Sequence, residues 1–351
     1  MGEQQVFAAE LLERSAAAYA AEATAQMRAA TKGPFAEEDE TAWRRHLSQR
    51  VLELAAAVAL GEPALFVERA RWSRKAFRAR GRDETLLLAS LQALRAVLAR
   101  QLPPAAGTLA TDFLAQAIGM LEAPAQDDPA QGLDPARAED RLALTFLNLA
   151  LEGNASEAVA CLVDAVPRMS LETIYLRVLM PAQREIGTLW QLGDLSIPEE
   201  HLVTTTTQRA MAVLSHLAQR RPANGCTVVV AAAAGNVHDL GLRAAADLFE
   251  LAGWRALLLG SDVPPDELPA SLTFFEADLL VMSAVLGTQL RQLAATVAAV
   301  RERCERDVRI LVGGAAFDEA PEAWRKLGAD GYAASLAEVT SLGERLLGLS
   351  S

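Results

Sequence analysis

The sequence predicts a mainly α-helical chain that ends in an α/β domain with a doubly wound parallel sheet of five strands. Two observations lead to this fold class. As far as residue 217, apolar residues recur at three- and four-residue spacing, which is typical of amphipathic helices. From Cys226 onward, short apolar runs alternate with helical segments, as they do in βαβ units. At 351 residues the chain is long enough for two or three domains, each with its own core.

Residues 1–122 are predicted to form an all-helical N-terminal domain of about five helices. The expected helices are Val6–Met27, Trp43–Leu60, Leu65–Arg80, Glu84–Leu98 and Leu109–Leu121. The breakers between them are Lys32-Gly33-Pro34, Gly61-Glu62-Pro63, Gly81 and Pro103-Pro104. Residues 123–138 are rich in Pro, Asp, Gln and Gly, and this composition predicts an interdomain linker.

Residues 139–222 form a second helical block with the pattern of a four-helix bundle. Its predicted helices are Leu142–Leu151, Glu157–Val166, Leu171–Trp190 and Pro198–Leu217. Residues 223–351 then carry the Rossmann-like α/β pattern. The predicted strands are Thr227–Ala234, Arg255–Leu259, Leu279–Ser283, Ile310–Gly313 and a weak one at Gly331-Tyr332, and the predicted helices are Leu242–Leu251, Pro265–Phe275, Gln289–Glu302 and Pro321–Leu327.

Composition excludes several classes of protein. The net charge of -12 argues against a nucleic-acid-binding surface, so DNA is not expected as a partner. Three widely spaced cysteines without a CxxC pair indicate a reducing compartment, and not a disulfide framework or a zinc site. Neither a signal peptide nor a membrane-spanning apolar run is present, so a cytoplasmic location is expected.

The segment Asn236-Val237-His238-Asp239-Leu240-Gly241 lies between the first predicted strand and its helix. Open parallel sheets bind ligands at this carboxyl edge. A histidine there can offer its imidazole to a metal, and Gly241 permits close approach of a flat ligand. Small residues also end the next three strands, at Ser261 and Val263, at Ser283 and Val285, and at Gly313-Gly314. The alternative is an ordinary flavodoxin-like sheet with glycines in its turns.

This pattern resembles the cobalamin-binding domain of methionine synthase, corrinoid methyl carriers, mutases and cobalamin-dependent photoreceptors. The family signature is Asp-x-His-x-x-Gly, a Ser-x-Leu-like segment and Gly-Gly. The resemblance implies that His238 is the lower axial ligand of cobalt and that the cofactor's nucleotide tail runs past Ser283 and Gly313-Gly314. Two departures stand out: the relay Asp is Asn236, for which Asp239 is a candidate substitute, and Leu286 comes one place late.

The helical block before it contains Trp190, nine further residues, and then Glu200-His201. This spacing is similar to the cap bundle of the photoreceptor branch, where these residues shelter an adenosyl group. The resemblance implies adenosylcobalamin as cofactor, with Trp190 over the upper corrin face and Glu200 accepting hydrogen bonds from the ligand. Taken singly, Trp190 could be a core aromatic and Glu200 an acid favoured at a helix N-terminus. In DNA-binding members a histidine follows the tryptophan and takes the cobalt after photolysis, whereas this chain has Gln191, which leaves His201 and His216 as candidates.

A basic cluster spans Arg69–Arg82 in the N-terminal block. On a helix, Arg71, Arg74 and Arg78 fall on one face beside Trp72, which makes either a solvated surface or an anion site. The order of a helical domain, a cap and a cobalamin domain resembles the photocobilins, which join a globin-like bilin domain to a cobalamin domain. That resemblance implies a non-covalent bilin such as biliverdin, with Trp43, His46 and Trp72 lining the pocket and the arginines holding its propionates.

Together with these resemblances, the sequence predicts a light-responsive adenosylcobalamin sensor. Its signal is expected to pass through the N-terminal domain or through formation of a homo-oligomer, and its downstream protein partner is unidentified. Three alternatives stay open: a corrinoid methyl carrier of a methyltransferase system, a dark sensor of cobalamin, and a regulator that binds DNA through residues 69–82. No nucleophile with an adjacent base is evident in the sequence, so no enzymatic turnover is expected.

Overall fold

The computed structural model describes residues 2–30, 37–79, 82–124 and 132–349. It divides into two compact units. The first contains residues 1–127, 284–295 and 315–328, and the second contains residues 128–283, 296–314 and 329–351. The predicted breakers at Lys32-Gly33-Pro34 and Gly81, and positions 125–131 of the predicted linker, lie outside the described residues.

The first unit is built from helices. They are α1 (Glu3–Arg14), α2 (Ala16–Ala30), α3 (Glu37–Leu60), α4 (Pro63–Ala79), α5 (Glu84–Gln101) and α6 (Pro104–Glu122). The sequence predicted one helix over Val6–Met27, and this is wrong, because the helix is interrupted at Ser15. Ser15 leaves the helical region, with φ at -114° and ψ at 13°. Alanines follow it without Gly or Pro, so no ordinary breaker marked the site.

The later segments of the first unit pack on these early helices. Lys326, in α15 (Ala323–Leu327), donates to Glu62 at 2.6 Å and to the carbonyl of Leu60 at 3.0 Å. Arg291 forms an ion pair with Glu13. Both segments follow directly on strands of the sheet described below, so the first unit is assembled from distant stretches of sequence.

The second unit begins with a helical bundle. Its helices are α7 (Ala138–Leu151), α8 (Ala155–Val163), α9 (Leu171–Ile174), α10 (Met180–Leu192) and α11 (Ile197–Leu217). A π-helical turn at Tyr175–Leu179 separates α9 from α10, where the sequence predicted a continuous helix. Pro181 accounts for the difference: it has no N–H and its ring clashes with the carbonyl four residues earlier, so the helix widens.

The sheet of the second unit has five parallel strands in the order β2-β1-β3-β4-β5. The strands are β1 (Thr227–Ala233), β2 (Arg255–Val263), β3 (Leu279–Ser283), β4 (Arg309–Gly313) and β5 (Gly331–Ala333), and the remaining helices are α12 (Leu240–Leu251), α13 (Leu268–Phe274), α14 (Leu290–Arg303) and α16 (Val339–Leu346). All seven residues of β1 are buried, as expected of a central parallel strand. The predicted doubly wound fold is confirmed; α16 was not predicted.

Two apolar cores support the second unit. Phe146, Tyr175 and Leu214 belong to the bundle core, which also takes in Ala244 of α12. Phe249 and Trp254 belong to the core beneath the sheet. Helix α12 therefore contributes to both cores, and it is the helix that follows His238. No described helix is both long enough and apolar enough to cross a membrane.

Candidate functional site

His238 lies in the loop from β1 to α12, beside the point where the strand order reverses. This switch point is where open α/β sheets bind ligands, because the flanking loops diverge there. Asn236 is fully buried, while Val237 is 72% exposed and the His238 side chain is also exposed. The loop thus anchors itself through Asn236 and presents the imidazole outward.

The Asn236 amide fixes the protonation pattern of that imidazole. Its Nδ2 donates to the carbonyl of Ser283 at 3.1 Å, which can only accept. Its Oδ1 accepts the backbone N–H of His238 at 3.0 Å and faces His238 Nδ1 at 3.2 Å. Because the amide cannot flip without losing both backbone contacts, Nδ1 must carry the hydrogen. The lone pair is then on Nε2, which is the form of histidine that binds a metal.

Asp239 does not replace the missing relay carboxylate. It is 8% exposed, and its Oδ2 accepts from Arg243 Nε at 2.9 Å. Its Oδ1 accepts from Gln208 Nε2 at 3.3 Å. The sequence-based expectation that Asp239 supplies the charge behind His238 is wrong, because Arg243 and Gln208 hold the carboxylate instead. Leu240 and Gly241 open α12 directly afterwards.

The end of β2 is bound to the His238 loop by a residue that the sequence did not single out. Asp262 has a left-handed backbone with φ at 55°, a strained conformation for a non-glycine residue. Its N–H donates to the carbonyl of Asn236 at 3.1 Å, and its Oδ1 accepts from the N–H of Gly235 at 2.8 Å. The predicted residues beside it, Ser261 and Val263, are exposed and half-buried.

The ends of β3 and β4 explain the small residues predicted there. Ser283 is half-buried and meets the Asn236 amide. A Cβ on Gly313 would lie 3.0 Å from the Ala333 carbonyl oxygen, and Gly314 has φ at 103°, so both positions favour glycine. Val285 belongs to the first unit, where its N–H donates to Gln289 Oε1 at 2.8 Å.

In the bundle, the three predicted cap residues occupy the α10–α11 corner. Trp190 is half-buried in the last turn of α10, which Gly193 ends with φ at 85°. Glu200 lies in the first turn of α11 and accepts from Thr204 Oγ1 at 2.7 Å. His201 is exposed, with Nδ1 at 2.6 Å from the second oxygen of Glu200. Thr204 and His201 therefore hold both carboxylate oxygens of Glu200.

A buried polar group ties the bundle to α12. Tyr175, fully buried in the π turn, donates its hydroxyl to Asp247 Oδ2 at 2.5 Å. Ser215 of α11 donates to the other carboxylate oxygen at 3.0 Å. Burial raises the pKa of Asp247, against the effect of these hydrogen bonds. Desolvation and the nearby Asp247 charge raise the pKa of Tyr175, so the phenol stays protonated as the donor.

In the first unit, Trp43, His46 and Phe77 form an aromatic cluster with ring centroids 5.2–5.9 Å apart. His46 Nε2 is buried and has no hydrogen-bond partner among the residues that the structure describes. Burial, with smaller contributions from Arg50 and Arg82, lowers the pKa of His46 to about 3. The ring is therefore neutral at physiological pH, and its Nε2 lies inside the aromatic cluster.

The predicted arginine face is engaged with protein groups. Buried Arg74 donates to the carbonyls of Met120 and Ala123 at the end of α6, at 3.1 and 3.0 Å. Arg78 pairs with Glu84 at 2.7 Å, and Arg71 pairs with Glu68 at 3.1 Å. The half-buried Trp72 lies under the Arg69 guanidinium. Arg74 thus satisfies a helix C-terminus and is already committed to protein carbonyls.

Comparisons with known proteins agree with this geometry. Residues 226–340 match a family profile described as the B12 binding domain, and residues 142–215 match a second profile of the same description. This chain carries B12-binding domains. The two matches together span more than half of the chain and include the His238 loop and the cap corner.

Individual relatives fall into two groups. A corrinoid protein of Desulfitobacterium hafniense is 25% identical over 46% of this chain and 77% of its own length. The dimethylamine corrinoid protein of Methanosarcina barkeri is 28% identical over 48% of this chain and 80% of its own. The HTH-type transcriptional repressor CarH of Myxococcus xanthus is 30% identical over 40% of this chain and 46% of its own. Among solved structures, the monomethylamine corrinoid protein of M. barkeri shares the fold, with a TM-score of 0.53 and 18% identity over 60% of this chain and all of its own.

The residues present fit a cobalt corrinoid. The tautomer set by Asn236 leaves His238 Nε2 as the available nitrogen, and a Cβ on Gly241 would meet no atom within 4 Å, so space is open beside the loop. Within the described ranges, no group of three or more His, Cys, Asp or Glu side chains could hold a metal ion. His238 is the residue that would hold the cobalt of such a cofactor.

Proposed function

We propose that this protein is a light-responsive sensor that binds adenosylcobalamin between His238 and the cap corner. The observation that carries the proposal is the position of Trp190 at the end of α10 and of Glu200-His201 at the start of α11, the next cap helix. An indole offers a flat apolar cover, and a carboxylate held on both oxygens suits the hydroxyls of a ribose. The similarity to the repressor CarH supports the same branch of the family.

When bound, adenosylcobalamin would supply a cobalt–carbon bond that visible light breaks. His238 would hold the cobalt, and the Asn236 amide would keep Nε2 free of hydrogen. Trp190 and Glu200 would contact the adenosyl group in the dark and lose those contacts after light. A ligand biases two arrangements only through contacts that differ between them, and these two side chains provide such contacts.

The decisive experiment records absorption spectra of the dark-purified protein with adenosylcobalamin, before and after green light. Conversion of the bound spectrum is expected. Trp190→Ala should abolish the preference for adenosylcobalamin over methylcobalamin, whereas Trp324→Ala, at another half-buried tryptophan, should retain it. His238→Ala should weaken cobalamin binding at least about tenfold and change the dark spectrum. A bound corrin whose absorption spectrum is the same before and after green light would overturn the photoreceptor proposal.

The proposal extends to a second pigment and to assembly. The unpartnered His46 Nε2, inside an aromatic cluster, is the feature that favours a bilin in the first unit. Adding biliverdin to the same preparation should then give a far-red band that His46→Leu removes. Size-exclusion chromatography in the dark and after light tests whether a homo-oligomer forms or separates. A spectrum that biliverdin does not change would overturn the bilin proposal. Equal elution volumes in the dark and after light would overturn the proposed change in oligomeric state.

A second candidate function is a corrinoid carrier for methyl groups. The match to the dimethylamine corrinoid protein, over 80% of that protein's length, favours it. Methylcobalamin bound as tightly as adenosylcobalamin, and demethylated by a partner methyltransferase, would support this function. Binding of adenosylcobalamin without photochemistry and without demethylation would instead indicate a dark sensor of cobalamin.

A further inference from the structure

Several residues on one face of α11 make polar contacts. Glu200, Thr204, Gln208, Met211 and Ser215 are spaced three or four residues apart, so they lie on the same face of the helix. At the N-terminal end of this row, the Thr204 hydroxyl donates a hydrogen bond to Glu200. The C-terminal end of the row contacts the Tyr175–Asp247 pair through Ser215 and the Met211 carbonyl.

Gln208 stands in the middle of the row and reaches the His238 loop. Its amide donates to Asp239 Oδ1 at 3.3 Å. Asp239 immediately follows His238, and its other oxygen is bound by Arg243 in the first turn of α12. The contact therefore joins the helix that carries Glu200 to the residue beside the proposed cobalt ligand.

The geometry of a helix makes this row a stiff connection. Gln208 lies eight residues from Glu200, which is about 12 Å along the axis. Tyr175, Ser215 and Asp247 fasten the far end of α11 to α12. With that end held, a shift of the Glu200 end would be felt at Gln208, between the two. Asp239 is 8% exposed, so a displaced carboxylate has little solvent to compensate for a lost partner.

We propose that Gln208 and Asp239 form a positioning pair through which the ligand on the upper face of cobalt controls the hold of His238 on the lower face. The inference rests on the proposed adenosylcobalamin site and names its internal regulation. With the adenosyl group in contact with Glu200, α11 keeps Gln208 on Asp239 and the His238 loop stays in place. Without the adenosyl group, the pair loosens and so does the imidazole. Coupling of this kind is reciprocal, so a weakened lower ligand must also lower the affinity for the adenosyl form.

The test compares Gln208→Leu with Gln183→Leu in the full chain. Gln183 donates to Thr207 Oγ1 at 2.7 Å inside the bundle, so its substitution removes a similar amide contact that does not involve α12. Each variant is loaded in the dark with adenosylcobalamin or hydroxocobalamin. Absorption spectra give the fraction of cobalt bound to imidazole, titration gives the affinity, and the thermal midpoint reports folding.

Gln208→Leu should lower the imidazole-bound fraction and weaken adenosylcobalamin binding about tenfold. It should also reduce the difference between the two cobalamins, while Gln183→Leu stays within about twofold of the wild type. Gln208→Glu, which sets two carboxylates against each other, should have a larger effect. In the Gln208→Glu variant, the additional substitution Asp239→Asn should restore a donor and an acceptor to the pair. It should therefore recover part of the lost imidazole-bound fraction and affinity.

Equal spectra and affinities for Gln208→Leu, Gln183→Leu and the wild type would overturn the positioning pair. So would a Gln208→Glu variant that folds and shows the wild-type imidazole-bound fraction. Failure of the proposed function appears differently, as a wild-type protein that neither prefers adenosylcobalamin nor responds to light. Even then, the imidazole-bound fraction of Gln208→Leu and Gln183→Leu, compared with each cobalamin, decides whether Gln208 positions His238.

Discussion

Asn236→Asp restores the acidic residue of the family signature, and the structure predicts that it destabilises the protein without cofactor. Asn236 is fully buried, and its Nδ2 donates to the Ser283 carbonyl at 3.1 Å. A carboxylate has no hydrogen to donate, so one hydrogen bond is lost and two oxygens face each other. The lost bond is worth about 1 kcal/mol, and the unsatisfied buried carbonyl costs about 1–3 kcal/mol more.

Rotation of the Ser283 hydroxyl, now at 3.4 Å from Nδ2, can offset part of this loss by donating to the new carboxylate. The expected net cost is about 2 kcal/mol, which lowers the thermal midpoint of a unit of this size by about 4–8 °C. Binding of cobalamin should reduce the difference in thermal midpoint between the Asn236→Asp variant and the wild type. A carboxylate accepts the Nδ1–H of His238 in a charge-assisted bond that is roughly twice as strong as the neutral bond to an amide.

The assay is the thermal midpoint of the protein with and without hydroxocobalamin, at pH 8. Asn224→Asp is the matched control, because the exposed Asn224 uses its Oδ1 to accept the N–H of Cys226 at 2.9 Å, which an aspartate also does. A cofactor-free Asn236→Asp protein that melts like the wild type would refute the assigned amide orientation. If Asn236→Asp lowers the thermal midpoint equally with and without cobalamin, residue 236 does not support the His238 imidazole through its Nδ1–H.

Three further predictions concern stability. Burial, and then the nearby charge of Glu68, raise the pKa of Glu319 from 4.5 to about 7. The folded state therefore binds this proton more tightly than the unfolded state, and stability should fall as pH rises from 4.5 to 7. Glu319→Gln should remove about 1 kcal/mol of that fall after allowance for solvent screening, as measured by urea unfolding across this pH range, and an unchanged slope would contradict the assignment. Tyr175→Phe should cost about 2 kcal/mol in urea unfolding, because it removes a buried donor to the Asp247 carboxylate, and a loss below about 0.5 kcal/mol would argue against that contact. Arg74→Met should speed amide hydrogen exchange in the last turn of α6 at least about tenfold, since the carbonyls there lose their buried donor, whereas protection equal to the wild type would show that the turn does not depend on Arg74.

The strands of the sheet could be predicted because burial on both faces requires short, continuous apolar runs. β1 and β3 were placed to within one residue for this reason. The His238 turn was also visible, because a polar segment at the end of such a run has few structural explanations. These features depend on residues adjacent in sequence, which is where pattern analysis is strong.

Other parts of the site depend on residues that meet only after folding. The tautomer of His238 is set through Asn236 by the carbonyl of Ser283, 47 positions away. The correction for Asp239 has the same origin, because Gln208 is 31 positions away. Asp262 takes a left-handed backbone that the sequence does not favour, so the folded loops must stabilise it.

The divided sequence of the first unit has a consequence for biosynthesis and for evolution. The chain passes between the two units at five boundaries, the last of them after residue 328. A ribosome must therefore reach residue 328 before the first unit is complete, although residues 1–127 are made much earlier. For the same reason a single recombination event near residue 125 cannot exchange this unit for another domain, since residues 284–295 and 315–328 would stay behind with the sheet. Lineages that replace the N-terminal helices would have to change the loops after β3 and β4 as well.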